Sequence, residues 1–203
     1  FPINDEIFNK TDIDYKGVDT ISISAHKFNG VKGAGGLFVK TLSNLHPVFY
    51  GGGHEYNVRS GTVNLPGITA MTKALRLTLE EARSVNIRLN DFNGQIRDAV
   101  KDLKSIKVQP KDAPYIVNMS FVGAKGEVVV NALSKRGILV STTSACASRL
   151  AELNETLLAL KNPDDVIEGS IRISMGHYTT QDDVDALVTA LKSVYEELGD
   201  VLK

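Results

Sequence analysis

The chain has 203 residues, a formal net charge of −1 and 42% hydrophobic residues. This length accommodates one large domain or two small ones, and the hydrophobic content is sufficient for a buried core. The near-neutral charge gives no reason to expect nucleic acid or an anionic membrane as a partner. A single cysteine excludes an internal disulfide, and no apolar run approaches the ~20 residues of a membrane-spanning helix.

The first predicted strand covers residues 18–24, in which Ile21 and Ile23 alternate with polar residues. Residues 1–17 have scattered apolar positions and are predicted to form a loop that leads into this strand. A glycine-rich turn and a second apolar run, residues 37–39, follow the strand. The glycines of the turn match neither the dinucleotide-binding fingerprint nor the Walker A pattern.

Three polar side chains lie where this strand ends, namely Ser24, His26 and Lys27. Strand ends are where ligands bind in α/β sheets. A lysine placed there can form a Schiff base if burial lowers its pKa enough to free the amine. A polar turn with a solvated lysine and a structural histidine fits the residues equally well.

A long amphipathic helix is predicted to begin near Pro66, a residue that suits a first helical turn. We expect this helix to bridge two domains, with the boundary near Ala82, within about four residues. Its apolar positions recur at spacings of three and four; they are Ile68, Met71, Leu75, Leu79, Ala82, Val85, Leu89, Phe92, Ile96, Val100 and Leu103.

The remainder of the chain predicts a small α+β domain. Strands are expected at residues 115–122, 138–141 and 170–175, and a helix at residues 127–136. A final helix is expected to begin at Thr179 or Thr180, either of which can cap it. Its buried stripe consists of Val184, Leu187, Leu191, Val194 and Leu198.

Two further residues are candidates for chemistry. Cys146 lies in a small, polar segment that follows a predicted strand, although a lone cysteine is more often a buried hydrophobe than a nucleophile. Arg172 lies on the polar face of the strand at residues 170–175 and could clamp a carboxylate with two hydrogen bonds. An arginine that merely lies on the solvent-exposed face of an edge strand is commoner than one that binds a carboxylate. The histidines form no metal-ligand spacing; those considered are His46, His54 and His177.

Four segments in chain order resemble the class V aminotransferases, and most closely the NifS/IscS-type cysteine desulfurases. Their residues read Ser-Ala-His-Lys-Phe-Asn-Gly, Gly-Gly-Gly-His-Glu with Arg-Ser-Gly-Thr, Ser-Ala-Cys, and Ile-Arg-Ile-Ser-Met-Gly. The segments lie at residues 24–30, 51–62, 144–146 and 171–176. Any one match would be weak, but four in order form a specific signal.

The resemblance implies a role for each candidate residue. Lys27 would hold pyridoxal 5'-phosphate as a Schiff base, and Ser24 and His26 would donate hydrogen bonds to its phosphate. Thr62 would contribute its hydroxyl to the cofactor phosphate of the other subunit of a homodimer, since a hydroxyl and a backbone N–H can both donate.

The resemblance likewise assigns the substrate groups. Arg172 would bind the substrate carboxylate. Cys146 would take the sulfur of L-cysteine as a persulfide, with release of L-alanine, and pass it to an acceptor protein.

The function implied is that of a pyridoxal-phosphate-dependent cysteine desulfurase, cytoplasmic and homodimeric, with no nucleic-acid or membrane partner. Its sulfur acceptor would be an iron–sulfur scaffold or a tRNA-thiolation enzyme. The alternatives are another class V enzyme, such as a selenocysteine lyase or an aminotransferase, and a non-catalytic dimerisation or interaction module.

The implied fold class is α/β, as part of a fold type I, aspartate-aminotransferase-like transferase. Residues 1–82 would be the C-terminal part of the cofactor-binding large domain, and residues 83–203 a small C-terminal α+β domain. The resemblance begins in the middle of the family's large domain. We therefore expect a C-terminal fragment that is inactive alone and binds pyridoxal 5'-phosphate weakly or not at all.

Overall fold

The computed structural model describes residues 17–111, 113–142 and 155–202. The chain divides into two units, residues 1–81 and 82–203, which are described separately below. The assignment of residues 1–82 and 83–203 to particular parts of a larger enzyme stays a prediction. The loop expected at residues 1–17 lies outside the described residues except for Gly17.

The first unit contains a two-stranded antiparallel sheet. Strand β1, Thr20–Ser24, pairs with strand β2, Gly35–Val39, in a register that sets Thr20 opposite Val39 and Ser24 opposite Gly35. The strand predicted from the alternating residues is confirmed, although β1 begins two residues later than expected, and the apolar run at residues 37–39 lies within β2. A short 3-10 turn, Ala25–Phe28, follows β1, and another, Leu42–Asn44, follows β2.

The long helix is confirmed as one uninterrupted element, α1, Leu65–Val100. Pro66 lies in its first turn, as predicted. Proline lacks a backbone N–H, and the N–H groups of a first turn have no hydrogen-bond partner within the helix in any case. Asn64 precedes the helix, and its side-chain oxygen accepts a hydrogen bond from the backbone N–H of Gly67 at 3.1 Å. The apolar positions of the C-terminal half are buried, whereas Leu79 is 42% exposed.

The second unit is an α+β arrangement, as predicted, built on a four-stranded antiparallel sheet in the order β3-β4-β6-β5. Its strands are β3, Ile106–Val108; β4, Ile116–Phe121; β5, Ser141–Thr142; and β6, Ser170–Ser174. Its helices, besides the end of α1, are α2, Gly126–Ser134; α3, Glu155–Ala159; α4, Asp164–Glu168; and α5, Gln181–Glu197.

The core of this unit lies on one face of the sheet. Alternate residues of β4 and β6 point into it, and helices α1, α2 and α5 cover it with their apolar stripes. The predicted stripe of α5 is confirmed, with Leu198 partly buried at its end. The strand residues buried in this core are Val117, Met119, Phe121, Ile171 and Ile173.

The strand predicted at residues 138–141 is wrong over most of its length, because the backbone there ends a helix. Gly137 has a φ of 79°, and the N–H of Ile138 donates to the carbonyl of Leu133 at 3.1 Å. This hydrogen bond closes helix α2 and removes Ile138 from strand pairing. Strand pairing begins only at Ser141, opposite Arg172.

Three short elements were not predicted, namely β3, α3 and α4. Strand β3 has only three residues, too few for a periodic signal. Helix α4 did carry a signal, since Pro163 precedes two acidic residues, a pattern typical of a helix start. Among the described residues, no helix combines the length and the apolar character that crossing a bilayer would need.

A buried amide in α1 ties this helix to the segment before β4. Asn93 is fully buried, and its amide donates to the carbonyls of Pro114 at 3.0 Å and Ile116 at 2.9 Å. Its oxygen accepts from the Nε of Arg97 at 2.6 Å, and Arg97 also donates to the carbonyl of Gln109 at 2.8 Å. Partial burial lowers the pKa of the Arg97 guanidinium from its ordinary value.

Replacement of Asn93 by Ala should lower the free energy of unfolding by about 2–4 kcal/mol, because it leaves buried carbonyls and the Arg97 Nε without their partner. Urea unfolding measures this change. Asn90→Ala is the matched control on the same helix, since Asn90 is exposed and donates only to the carbonyl of Asn86. The control should change stability by about 0.5 kcal/mol or less. Equal losses in the two variants would contradict the structural role of Asn93.

Helix α5 begins at a capping box, as the threonine signal predicted. The backbone N–H of Thr180 donates to the Oδ2 of Asp183 at 2.9 Å, and the hydroxyl of Thr180 donates to the same oxygen at 2.8 Å. The Thr180 hydroxyl also accepts from the N–H of Asp183 at 3.3 Å. Both hydrogen bonds from Thr180 lower the pKa of the Asp183 carboxyl group, and the bond from the backbone N–H has the larger effect.

A lowered pKa in the folded state means that the Asp183 carboxylate stabilises the fold only while it is ionised. The stability advantage of the wild type over Asp183→Asn should be complete above the ordinary aspartate pKa of about 3.9 and disappear as the pH falls through the lower folded value. Urea midpoints measured between pH 2 and 7 test this. Asp182→Asn, next to the capping box, is the control, and an identical pH profile for the two variants would contradict the assignment.

Candidate functional site

The predicted lysine lies in the 3-10 turn that directly follows β1. Ser24 ends the strand, and Ala25, His26, Lys27 and Phe28 form the turn. Ser24, His26 and Lys27 are exposed, whereas Ala25 is fully buried. The strand end and the turn therefore expose three polar side chains to solvent, next to the buried side chain of Ala25.

Backbone hydrogen bonds fix this turn. The N–H of Ala25 donates to the carbonyl of Ala34 at 3.0 Å, and the carbonyl of Ala25 accepts from Gly30 at 2.8 Å. A Cβ at position 30 would lie 2.9 Å from both the Cβ and the carbonyl oxygen of Ala25, so only glycine fits this close approach. Asn29 ends the turn with a φ of 62°, in the left-handed region that asparagine tolerates.

Helix α1 contributes a further contact to the turn. The hydroxyl of Thr78 donates to the carbonyl of Phe28, the residue after Lys27, at 3.3 Å. The side chain of Ser24 makes no capping hydrogen bond to the turn. The backbone around Lys27 is thus held from β1, from the glycine-rich segment and from α1, while the Ser24 hydroxyl is not used in capping.

The glycine-rich loop at residues 51–62 is the second predicted segment of this unit. Glu55, Tyr56 and Asn57 have φ values of 52°, 55° and 67°, an unusual run of left-handed residues. The N–H of Asn57 donates to the carbonyl of Gly53 at 3.3 Å, and the N–H of Val58 donates to Glu55 at 3.0 Å. A tight left-handed turn therefore shapes the middle of the loop.

The end of this loop carries Thr62, which is exposed. Two contacts of Arg59 hold the segment before it. Its guanidinium donates to the carbonyl of Ser60 at 2.5 Å and lies over the ring of Phe49, 5.4 Å from the centroid. The N–H of Gly61 donates to the Nδ1 of His54 at 3.4 Å. His54 thus has a hydrogen-bond partner within its own loop.

Arg172 lies in the second unit, at the centre of β6. The burial pattern of β6 confirms the predicted faces, because Ile171 and Ile173 are buried while Arg172 and Ser174 are exposed. Arg172 stands opposite Asn118 of β4 on one side and opposite Ser141 of β5 on the other. The sheet therefore places an amide, a guanidinium and a hydroxyl in one row across its polar face.

Asn118 was not identified from the sequence. Its signal was a single amide side chain in a mainly apolar strand, but only the pairing of β4 with β6 shows that it neighbours Arg172. Its side chain donates to the hydroxyl of Ser170 at 3.0 Å.

The structure brings three of the predicted residues together and leaves the others apart. Ser24 lies at the end of β1, and His26 and Lys27 lie in the turn that follows it. Thr62 belongs to the same unit but to the separate loop at residues 51–62. Arg172 belongs to the second unit, and Cys146 lies outside the described residues. Within the described parts of the chain, no group of three or more histidine, cysteine, aspartate or glutamate side chains could hold a metal ion.

Comparison with known proteins places these features in a family. The family model described as aminotransferase class-V matches residues 8–187. The chain is 37% identical over 190 residues to the cysteine desulfurase IscS of Dictyoglomus turgidum, a match that covers 92% of this chain and 48% of that protein. It is 36% identical over 194 residues to the cysteine desulfurase IscS of Clostridium botulinum, covering 92% of this chain and 49% of that protein.

A solved structure supports the same relationship. A chain described as a NifS-like protein superposes with a TM-score of 0.76 at 31% identity, over 90% of this chain and 47% of that chain. The predicted fold class, part of a fold type I transferase, is confirmed by this likeness. The chain spans about half the length of the curated relatives that it matches. With four motifs in order and the family model over residues 8–187, the chain belongs to the class V aminotransferase family, and its relatives include cysteine desulfurases of the IscS/NifS type.

Proposed function

We propose that the protein to which this chain belongs is a pyridoxal-phosphate-dependent cysteine desulfurase that converts L-cysteine to L-alanine. The observation that carries the proposal is the backbone-fixed turn at Lys27, in a chain 37% identical to a cysteine desulfurase. Hydrogen bonds of the fold fix the backbone position from which the Lys27 side chain extends.

The groups around Lys27 suit a phosphorylated aldehyde. Lys27 would hold the aldehyde carbon through its amine, because lysine is the side chain that condenses with carbonyl groups. Ser24 and His26 supply a hydroxyl and an imidazole donor for phosphate oxygens, and Thr62 would supply its hydroxyl to the cofactor phosphate of the other subunit. When bound, pyridoxal 5'-phosphate would act as an electron sink for carbanion chemistry at the substrate.

The remaining roles belong to Arg172 and Cys146. Arg172 binds the substrate carboxylate, for which its fork of N–H donors is matched in geometry and charge. Cys146 accepts the sulfur atom. A cysteine molecule and the Cys146 thiol together give alanine and a persulfide on Cys146, so that atoms balance without an added oxidant.

The persulfide sulfur is then passed to an acceptor protein, either an iron–sulfur scaffold or a tRNA-thiolation enzyme. We place the working enzyme in the cytoplasm as a homodimer, in which Thr62 serves the phosphate site of the other subunit. This chain by itself is proposed to be inactive and to bind the cofactor weakly, because its described residues leave the Lys27 amine exposed.

The role of Cys146 separates this function from its nearest rival. Replacement of Cys146 by Ala in the active enzyme should abolish transfer of labelled sulfur from L-cysteine to an acceptor protein, by about 100-fold or more, because no thiol remains to accept the sulfur. Mass spectrometry of the protein after incubation with L-cysteine should show a mass increase of one sulfur in the wild type only.

The outcomes of this experiment distinguish the alternatives. Ser148→Ala, a small change in the same segment, is the control and should transfer sulfur normally. Undiminished sulfur transfer by Cys146→Ala would remove the role assigned to Cys146. Turnover of selenocysteine without turnover of L-cysteine would favour a selenocysteine lyase. A protein that turns over neither substrate would favour an aminotransferase or a non-catalytic module.

A further inference from the structure

We propose that Asn118 is a positioning residue for the substrate carboxylate at Arg172. The proposal rests on the proposed function, since it concerns how this chain would bind an amino-acid substrate. It adds a residue to which the sequence motifs gave no role, and it is argued from the sheet register of the second unit.

The register places Asn118 directly opposite Arg172. A backbone hydrogen bond shows whether Asn118 and Arg172 form a hydrogen-bonded or a non-hydrogen-bonded pair. The carbonyl of Asn118 accepts from the N–H of Gln109, which lies on the β3 side of β4, so the backbone groups of Asn118 point away from β6. In an antiparallel ladder, a residue whose backbone groups point away from the partner strand forms a non-hydrogen-bonded pair. Side chains of such pairs lie closest, with Cα atoms about 4.5 Å apart. The side chains of Asn118 and Arg172 therefore leave the sheet as immediate neighbours on one face.

The Asn118 side chain has a fixed place on this face. It is partly buried, and its Nδ2 donates to the hydroxyl of Ser170 at 3.0 Å. Ser170 is buried and lies on the same strand as Arg172, two residues earlier. Because it is tethered, the amide can limit the positions open to the Arg172 side chain.

The charge around Arg172 leaves room for an anionic ligand. Arg172 is exposed, and none of the described carboxylates forms an ion pair with it. Its two cross-strand neighbours, Asn118 and Ser141, are uncharged. A carboxylate from outside the sheet therefore meets no competing anion in this row. Because the Asn118 amide is uncharged, it can position the Arg172 side chain without neutralising its positive charge.

Replacement of Asn118 by Asp places a negative charge next to Arg172. It removes the Nδ2 donor, but the Ser170 hydroxyl can still donate to the remaining side-chain oxygen, as it does to Oδ1 of Asn118 at 3.3 Å. The introduced carboxyl group would pair with Arg172 and compete with the substrate carboxylate. We expect the KM for L-cysteine to rise about tenfold or more, with kcat within about threefold of the wild type, because the lost interaction is one that binds substrate. Asn131→Asp, the same change on the exposed surface of α2, is the control and should leave both constants unchanged.

A second measurement needs no turnover. In the Asn118→Asp protein, carbon NMR should show the introduced carboxyl group titrating below the ordinary aspartate pKa of about 3.9, and this shift should disappear when Arg172→Gln is added. An unshifted pKa would show that the two side chains are not neighbours and would overturn the proposal. Asn118→Ser, which lacks the amide but adds no charge, should raise KM by a smaller factor and provides the test if the aspartate variant does not fold.

The outcomes separate this inference from the proposed function. If Arg172→Lys raises KM while both Asn118 variants leave it unchanged, the inference about Asn118 is wrong and the desulfurase function stands. If the wild-type enzyme releases no alanine from L-cysteine, the proposed function fails, while the NMR titration still decides whether Asn118 and Arg172 are paired.

Discussion

The antiparallel pairing of β4 with β6 is the constraint on which the second unit depends. It buries Val117 opposite Ile173 and Met119 opposite Ile171, and these residues form the centre of the core. Because side chains alternate along a strand, the same register fixes Arg172 on the opposite face. A slip of one residue would bury a guanidinium and expose two isoleucines, so the stability of the core and the orientation of Arg172 have one cause.

The first unit positions its chemistry differently. Among its described apolar residues, Ala25 is buried, while Leu37, Phe38 and Phe49 are exposed. The lysine turn is held mainly by backbone hydrogen bonds around Ala25 and by the close approach of Gly30. Hydrogen bonds between backbone groups depend little on side-chain packing, which explains how a turn can be well defined in a unit with few buried side chains.

The sequence predicted those elements whose periodicity is strong. Helix α1 and the faces of β6 followed from apolar spacing alone, because their apolar residues recur at the helical and strand periods, although Leu79 and Ala82 of the α1 stripe are exposed. The strand expected at residues 138–141 failed because Gly137 closes helix α2 with a hydrogen bond that local apolar composition does not reveal. Asn118 was not identified for a related reason. Which residue lies opposite Arg172 on the neighbouring strand depends on the pairing register, and the register is not visible in the local sequence. The roles of Lys27 and Cys146 came from resemblance, and they stay predictions.

The central claim is that the amine of Lys27 is the group that binds an aldehyde cofactor. The most direct measurement is to incubate the active protein with pyridoxal 5'-phosphate, reduce it with borohydride and locate the added pyridoxyl group by peptide mass spectrometry. We expect stoichiometric modification at Lys27, with little at the exposed neighbours Lys32 and Lys40. Modification spread evenly over the exposed lysines, or confined to a different lysine, would contradict it.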